Sequence, residues 1–154
     1  MSPFTTLQVI QFACVLFTAL ALGPALAHLL ELPNKLRLSR EAYLTVQRIY
    51  RGWQFVGIVV IAALIATLLL VLRADGADFA PALVALLCIV GTQVVFWTLT
   101  FPVNRQTKNW TTVPDDWVPL RNRWEYSHAL AAVFNLTAVV SVAFAVLVHD
   151  GPAL

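Results

Sequence analysis

Four long stretches of this chain carry no charged side chain: residues 1–30, 52–72, 79–104 and 126–149. All ten Lys/Arg and all eight Asp/Glu fall outside them. Each stretch reaches or exceeds the roughly 20 apolar residues with which a helix crosses a hydrocarbon core. The pattern predicts four membrane-spanning helices, at about 6–30, 52–72, 79–101 and 126–148. The tight connection Arg73-Ala74-Asp75-Gly76-Ala77-Asp78 makes spans two and three antiparallel neighbours. The fold expected is an all-α integral membrane protein: one domain, an antiparallel four-helix bundle, with a polar cap over 102–124.

Between spans one and two the pattern changes. Residues 34–51 place Lys35, Arg37, Arg40, Arg48 and Arg51 among Leu36, Leu38, Tyr43, Leu44 and Val46. This predicts a short amphipathic helix lying in the interface, with Ser39 as its N-cap. Within span one, Gly23-Pro24 predicts a kink, and Pro33-Asn34 its end. The last span is expected to stop at His149-Asp150-Gly151-Pro152. Ala25-Leu26-Ala27 resembles a signal-peptide cleavage site, but no Lys or Arg precedes it, and a retained first helix is expected.

Composition agrees with the periodic pattern. The chain is 60% apolar and 12% charged, with a mean hydropathy of +0.78, against a usual soluble balance of about half apolar and a quarter charged. A net charge of +2 with no basic patch gives no reason to expect a nucleic-acid partner. The expected partners are the lipid bilayer and a hydrophobic small molecule, and self-assembly into a homo-oligomer is compatible with this. Cys14 and Cys88 both fall inside spans and read as small packing residues. The sequons at Asn109 and Asn135 fall in a predicted cytoplasmic loop and a span, and carry no glycan assignment.

Charge also sets orientation. Residues 31–51 hold five Lys/Arg and 102–124 hold four, while 73–78 hold one. By the positive-inside rule both long loops are cytoplasmic and both termini outside, in an inner or plasma membrane. All five tryptophans (53, 97, 110, 117, 124) then belong to the cytoplasmic half. One reading is an interfacial belt; the other is an aromatic lid over a cleft, in which Trp53, Trp110 and Trp124 would touch a substrate.

Ionisable groups at membrane depth point to function. Span one ends in His28-x-x-Glu31 and span four begins with Glu125-x-x-His128, each placing an imidazole one turn deeper than a carboxylate. If spans one and four are neighbours, the four groups converge. Three readings stay open. A metal site could use His28, Glu31 and His128, as in mononuclear non-haem iron centres. His28 and His128 could ligate a haem. Without metal, His128, positioned by Glu125, could abstract a proton from a substrate. The bland alternative is that each His–Glu pair only anchors a helix end. Asn104 could stabilise an oxyanion or cap orphan carbonyls. Arg105, Lys108, Arg121 and Arg123 are topology signals first, and Arg123, beside Trp124, could hold an anionic group of a ligand. Gln93 and Asn135 are expected to hydrogen-bond between spans three and four.

Pro102-Val103-Asn104 at the end of span three, a polar loop rich in tryptophan, then Arg123-Trp124-Glu125 and His128 together resemble the anthrone-oxygenase-like family of small four-helix membrane proteins. The resemblance covers the second half of the chain, and the first half only in helix pattern. It implies oxidation of an anthrone-type polyketide to a quinone by dioxygen without an added cofactor. His128 would remove the ring proton, Asn104 would stabilise the enolate and Trp124 would stack on the substrate. The chain departs from the family pattern at Ala131, where an arginine would follow the histidine. The function expected is a membrane-embedded oxygenase-type oxidoreductase acting on a lipophilic aromatic or quinone-like substrate. The alternative is a non-catalytic membrane subunit or a small-molecule, haem or metal-binding protein.

Overall fold

The computed structural model describes residues 4–149, apart from the side chain of Gln54; the expected stop at Asp150–Pro152 lies outside them. All regular structure among the described residues is helical. Helix α1 spans Thr6–Lys35, α2 Arg40–Gln47, α3 Val56–Val71, α4 Phe79–Val95, α5 Phe101–Gln106 and α6 Trp117–His149. Three helical stretches are long and apolar enough to cross a membrane: Thr6–Lys35, Gly76–Gln106 and Trp117–His149. Helix α3 is apolar but shorter, and two turns of 3-10 helix, Arg48–Tyr50 and Trp53–Phe55, precede it. The predicted second span is thus trimmed at its start, where Gly52 takes a left-handed φ of 91° and breaks the helix.

Other boundaries differ from the expected ones for identifiable reasons. Helix α1 continues through Pro24 and Pro33 to Lys35, because Lys35 is held by side chains of its own helix and of α6. Helix α6 starts at Trp117, so the last part of the expected cap is helical. Asn104 lies on α5, which follows a π-helical turn, Phe96–Thr100. Pro102 has no N–H to offer the Thr98 carbonyl. Arg123 supplies the missing donor, Nη2 to Thr98 O at 2.6 Å. Arg123 therefore caps a broken helix turn. The amphipathic α2 forms as expected, with Ser39 Oγ accepting from the Ala42 N–H at 3.3 Å.

Helix α1 packs against α6 and α3, α3 against α4, and α4 against α6, which closes a ring of the four apolar helices. Buried positions within the ring are mostly small: Cys14, Ala63, Ala66, Ala82, Ala85, Ala132, Ala138 and Ala145. Large apolar side chains such as Phe12, Ile58, Leu87, Val140 and Phe144 face outward. Small residues allow close backbone approach, as at Gly91, where a Cβ would stand 3.3 Å from the Phe134 ring. Thr18 and Thr67 direct their hydroxyls to carbonyls of their own helices, Cys14 O and Ala63 O, which leaves neither in need of a partner on another helix. The expected Gln93–Asn135 bond does not form. Asn135 Nδ2 donates to Ala131 O on its own helix, and Gln93 lies beside Thr92.

The two ends of the ring differ. One gathers Leu7, Leu70, Ala82, Ala145 and the 2.8 Å contact of His149 Nδ1 with Asp78. The other carries the polar and aromatic residues. There Tyr43, Val103, Trp110, Trp117 and Trp124 form an apolar cluster that seats α2 on α5 and α6. Arg40 ties the same helix to the loop, Nη2 to Val113 O at 2.7 Å.

Candidate functional site

On α1, His28, Glu31 and Lys35 follow one another at three- and four-residue steps and so share a helix face. On α6, Trp124 and His128 do the same, with ring centroids 4.2 Å apart. The contact between α1 and α6 brings the two faces together. His28 and His128 stack, with centroids 4.2 Å apart and planes at 18°. Tyr50 and Trp53 close the other side of His28, at 4.7 and 5.6 Å. The convergence expected from the two His–Glu motifs is present.

What it converges on was not expected. Lys35, only 3% exposed, lies at the centre. Its Nζ is 2.7 Å from Glu31 Oε2, 3.0 Å from His28 Nδ1 and 3.9 Å from Glu125 Oε2. It also stands 4.6 Å from the centroid of the Tyr50 ring. A lysine ammonium can only donate, so His28 Nδ1 presents its lone pair and the His28 proton sits on Nε2. Two tyrosines complete the array: Tyr43 Oη donates to Glu125 Oε1 and Tyr50 Oη to Glu31 Oε2, each at 2.9 Å. Burial, and then the charge of the neighbouring glutamate, push both phenols far above their ordinary range. Both tyrosines therefore remain donors throughout the physiological range.

Two acceptor or donor atoms in this array are left over. Glu125, with no exposed surface, has no hydrogen-bond partner for Oε2. His128 Nε2 is buried and equally without a partner. Beside them, Trp124 Nε1 donates to Asn104 Oδ1 at 2.8 Å. An indole N–H can only donate, which fixes the Asn104 amide with its NH2 group pointing away from Trp124. Asn104 and His128 are thus both held against Trp124.

The metal and haem readings do not fit. Among the described residues no three of His, Cys, Asp or Glu are grouped as a metal would need. The position between His28 and Glu31 is taken by the Lys35 ammonium, and a second cation there would be repelled. Two imidazoles stacked face to face cannot direct nitrogens at opposite faces of one haem iron. Glu31, His28 and Glu125 surround the Lys35 ammonium as an internal cation, and His128 only stacks on His28.

The other expected site residues divide. Trp124 and Trp53 touch the histidine pair, and Trp53 is 37% exposed at its edge. Trp110 is set back behind Trp124, at 6.1 Å, and packs on Tyr43 instead. Trp97 is well exposed and belongs to the belt reading, whereas Trp110, Trp117 and Trp124 are buried. Lys35 and Tyr43 were not singled out by sequence, although Lys35 lies two helix turns after His28, which was the available signal.

No known protein family, no characterised protein and no solved structure matches this chain.

The Tyr43–Glu125 bond has a measurable consequence. Removing one partner of a buried hydrogen bond leaves the other desolvated, at a cost of about 1–3 kcal/mol. Tyr43→Phe is expected to lower the unfolding free energy by about that amount in detergent. Unchanged stability would mean that Glu125 does not depend on the phenol.

Proposed function

We propose that the chain is an integral membrane protein, an antiparallel four-helix bundle whose polar end faces the cytoplasm, and that this end is a metal-free oxygenase site for a lipophilic aromatic substrate. The membrane reading is supported by the outward-facing large apolar side chains around an interior of small residues. Nine Lys/Arg at the end carrying residues 31–51 and 102–124, against one at the other, favour a cytoplasmic polar end and external termini.

The observation that carries the chemical reading is the buried, unpartnered Nε2 of His128. A general base needs a free lone pair facing a place from which water is excluded. In the proposed reaction His128 takes a proton from the activated ring methylene of an anthrone-type ketone. The electron pair left behind moves into the carbonyl, and the Asn104 NH2 group donates to that enolate oxygen. Dioxygen, the oxidant, adds at the carbon; loss of water then leaves a second carbonyl. Overall CH2 plus O2 becomes C=O plus H2O. Trp53, 37% exposed, offers the surface on which the aromatic substrate stacks, and Trp124, buried behind the histidine pair, would have to yield a face to it.

One observation favours a second, non-catalytic reading. Lys35 already joins Glu31, His28 and Glu125, so the cluster can serve as a polar lock between α1, α2 and α6. Oxygen consumption separates the two. The purified protein, given an anthrone-type ketone, is expected to consume one dioxygen per substrate well above the rate without protein. No acceleration across a panel of lipophilic phenols, hydroquinones and anthrone-type ketones would leave the lock as the surviving role.

A further inference from the structure

Beside the cap, and separate from the histidine pair, a crevice of about 210 Å3 opens between the end of α2 and the turn at residues 108–111. Arg48 and Arg51 line one wall, Asn109, Trp110 and Thr111 the other. No acidic residue lines it. Neither arginine makes a side-chain hydrogen bond or ion pair among the described residues, in contrast to Arg40, Arg121 and Arg123. Two free guanidinium groups facing one small crevice repel each other, and an anion between them would relieve this.

A second observation points the same way. Trp110 is 7% exposed, and its indole N–H has no acceptor. An N–H can only donate, and a buried one without an acceptor is costly. Gln47, 6% exposed on the same wall as the arginines, has a buried amide NH2 that is also without an acceptor in hydrogen-bonding geometry. The Tyr43 hydroxyl oxygen, which donates its proton to Glu125, is placed to accept weakly from this amide, so the Trp110 N–H is the donor left over in the crevice. Lys108, Asn109 and Trp110 take φ of 48°, 55° and 64°, three consecutive left-handed residues without a glycine. The Asn109 N–H to Asn104 O bond (2.7 Å) and the Trp110 N–H to Thr107 Oγ1 bond (3.1 Å) pin that turn, with the indole folded inward under α2.

We propose that this crevice binds a phosphate group, that of an anionic phospholipid headgroup. Arg48 and Arg51 grip its oxygens and the Trp110 N–H supplies a further donor. Phosphate suits a lining of charged and neutral donors without carboxylates. The lipid source is favoured by position, since Ile49, between the two arginines, and Phe55, just beyond them, are 59% and 67% exposed. Acyl chains would lie along these side chains.

The test uses the full-length protein in detergent, with thermal unfolding as the readout, because a ligand that binds only the folded state raises the transition temperature. Short-chain phosphatidylglycerol, short-chain phosphatidylcholine and inorganic phosphate are the probes. Phosphatidylglycerol is expected to stabilise more than phosphatidylcholine. Stabilisation by inorganic phosphate, with phosphatidylglycerol no better than phosphatidylcholine, would overturn the lipid source and assign the site to a soluble phosphate. Arg48→Gln/Arg51→Gln, at two exposed positions, should weaken the apparent affinity about tenfold or more. Arg37→Gln/Arg105→Gln removes the same charge from the same end of the molecule and should leave it within about twofold. Trp110→Phe should weaken it without touching charge. The proposal is overturned if no probe stabilises the protein, or if the two double variants lose affinity equally. The latter would show diffuse attraction rather than a site.

Discussion

His128→Gln is expected to reduce substrate-dependent oxygen consumption by about 100- to 10,000-fold, the usual contribution of a positioned general base. Glutamine fills much of the imidazole volume and cannot accept a proton in turnover. Because the side chain touches Trp124 and His28 but hydrogen-bonds to nothing through Nε2, the folded state should survive the change. The rate and the unfolding transition, measured on one preparation, check both halves. Activity within about threefold of the wild type would remove His128 from the role of base. Lost stability with no activity to lose would favour the lock.

Lys35→Met is expected to lower the unfolding free energy by about 3–5 kcal/mol, the cost of removing one partner of a buried ion pair. The lysine is 4% exposed at its side chain and Glu125 not at all, so the carboxylate would be left desolvated, with the Tyr43 hydroxyl as its remaining hydrogen-bond partner. Glu31 is about half exposed and can turn to water; Glu125 cannot. The loss should therefore be repaired largely by adding Glu125→Gln, which removes the stranded charge while keeping an acceptor for Tyr43. Buried pairs can also be replaced without loss by apolar groups. A stable Lys35→Met protein would mean that Glu125 is already protonated and that Lys35 is a spectator. Denaturant unfolding of the wild type, both single variants and the double variant decides this.

The apolar helices were legible because absence of charge over some twenty residues has one common explanation, and spacing alone placed both His–Glu motifs on helix faces. Their meeting followed from the neighbourhood of α1 and α6. The helix ends were less legible. Pro33 reads as a terminator, yet α1 runs on to Lys35, since contacts from Glu31, Glu125 and Tyr50 outweigh the local cost of proline. Lys35 itself counts as one of five basic residues in a loop, and only tertiary contact turns a topology signal into a buried partner. The bond that Arg123 makes was not legible for a related reason. The defect it repairs, the Thr98 carbonyl opposite Pro102, lies twenty-five residues earlier. The Asn135 NH2 and Gln93 turn to partners on their own helices, and Asn135 Oδ1 stays without one, an outcome that residue types at matching depth do not reveal.

The central claim is that His28 and His128 face each other at ring-stacking distance. The chain has three histidines, so selective 13C and 15N labelling of histidine gives a spectrum simple enough to assign in a lipid bilayer. A ring-to-ring magnetisation-transfer peak is expected between His28 and His128, and none from either to His149, which lies beside Asp78 at the other end of the molecule. If the His28–His128 peak is missing under conditions where transfer within each labelled ring is strong, the two imidazoles do not share one site, and the account is contradicted.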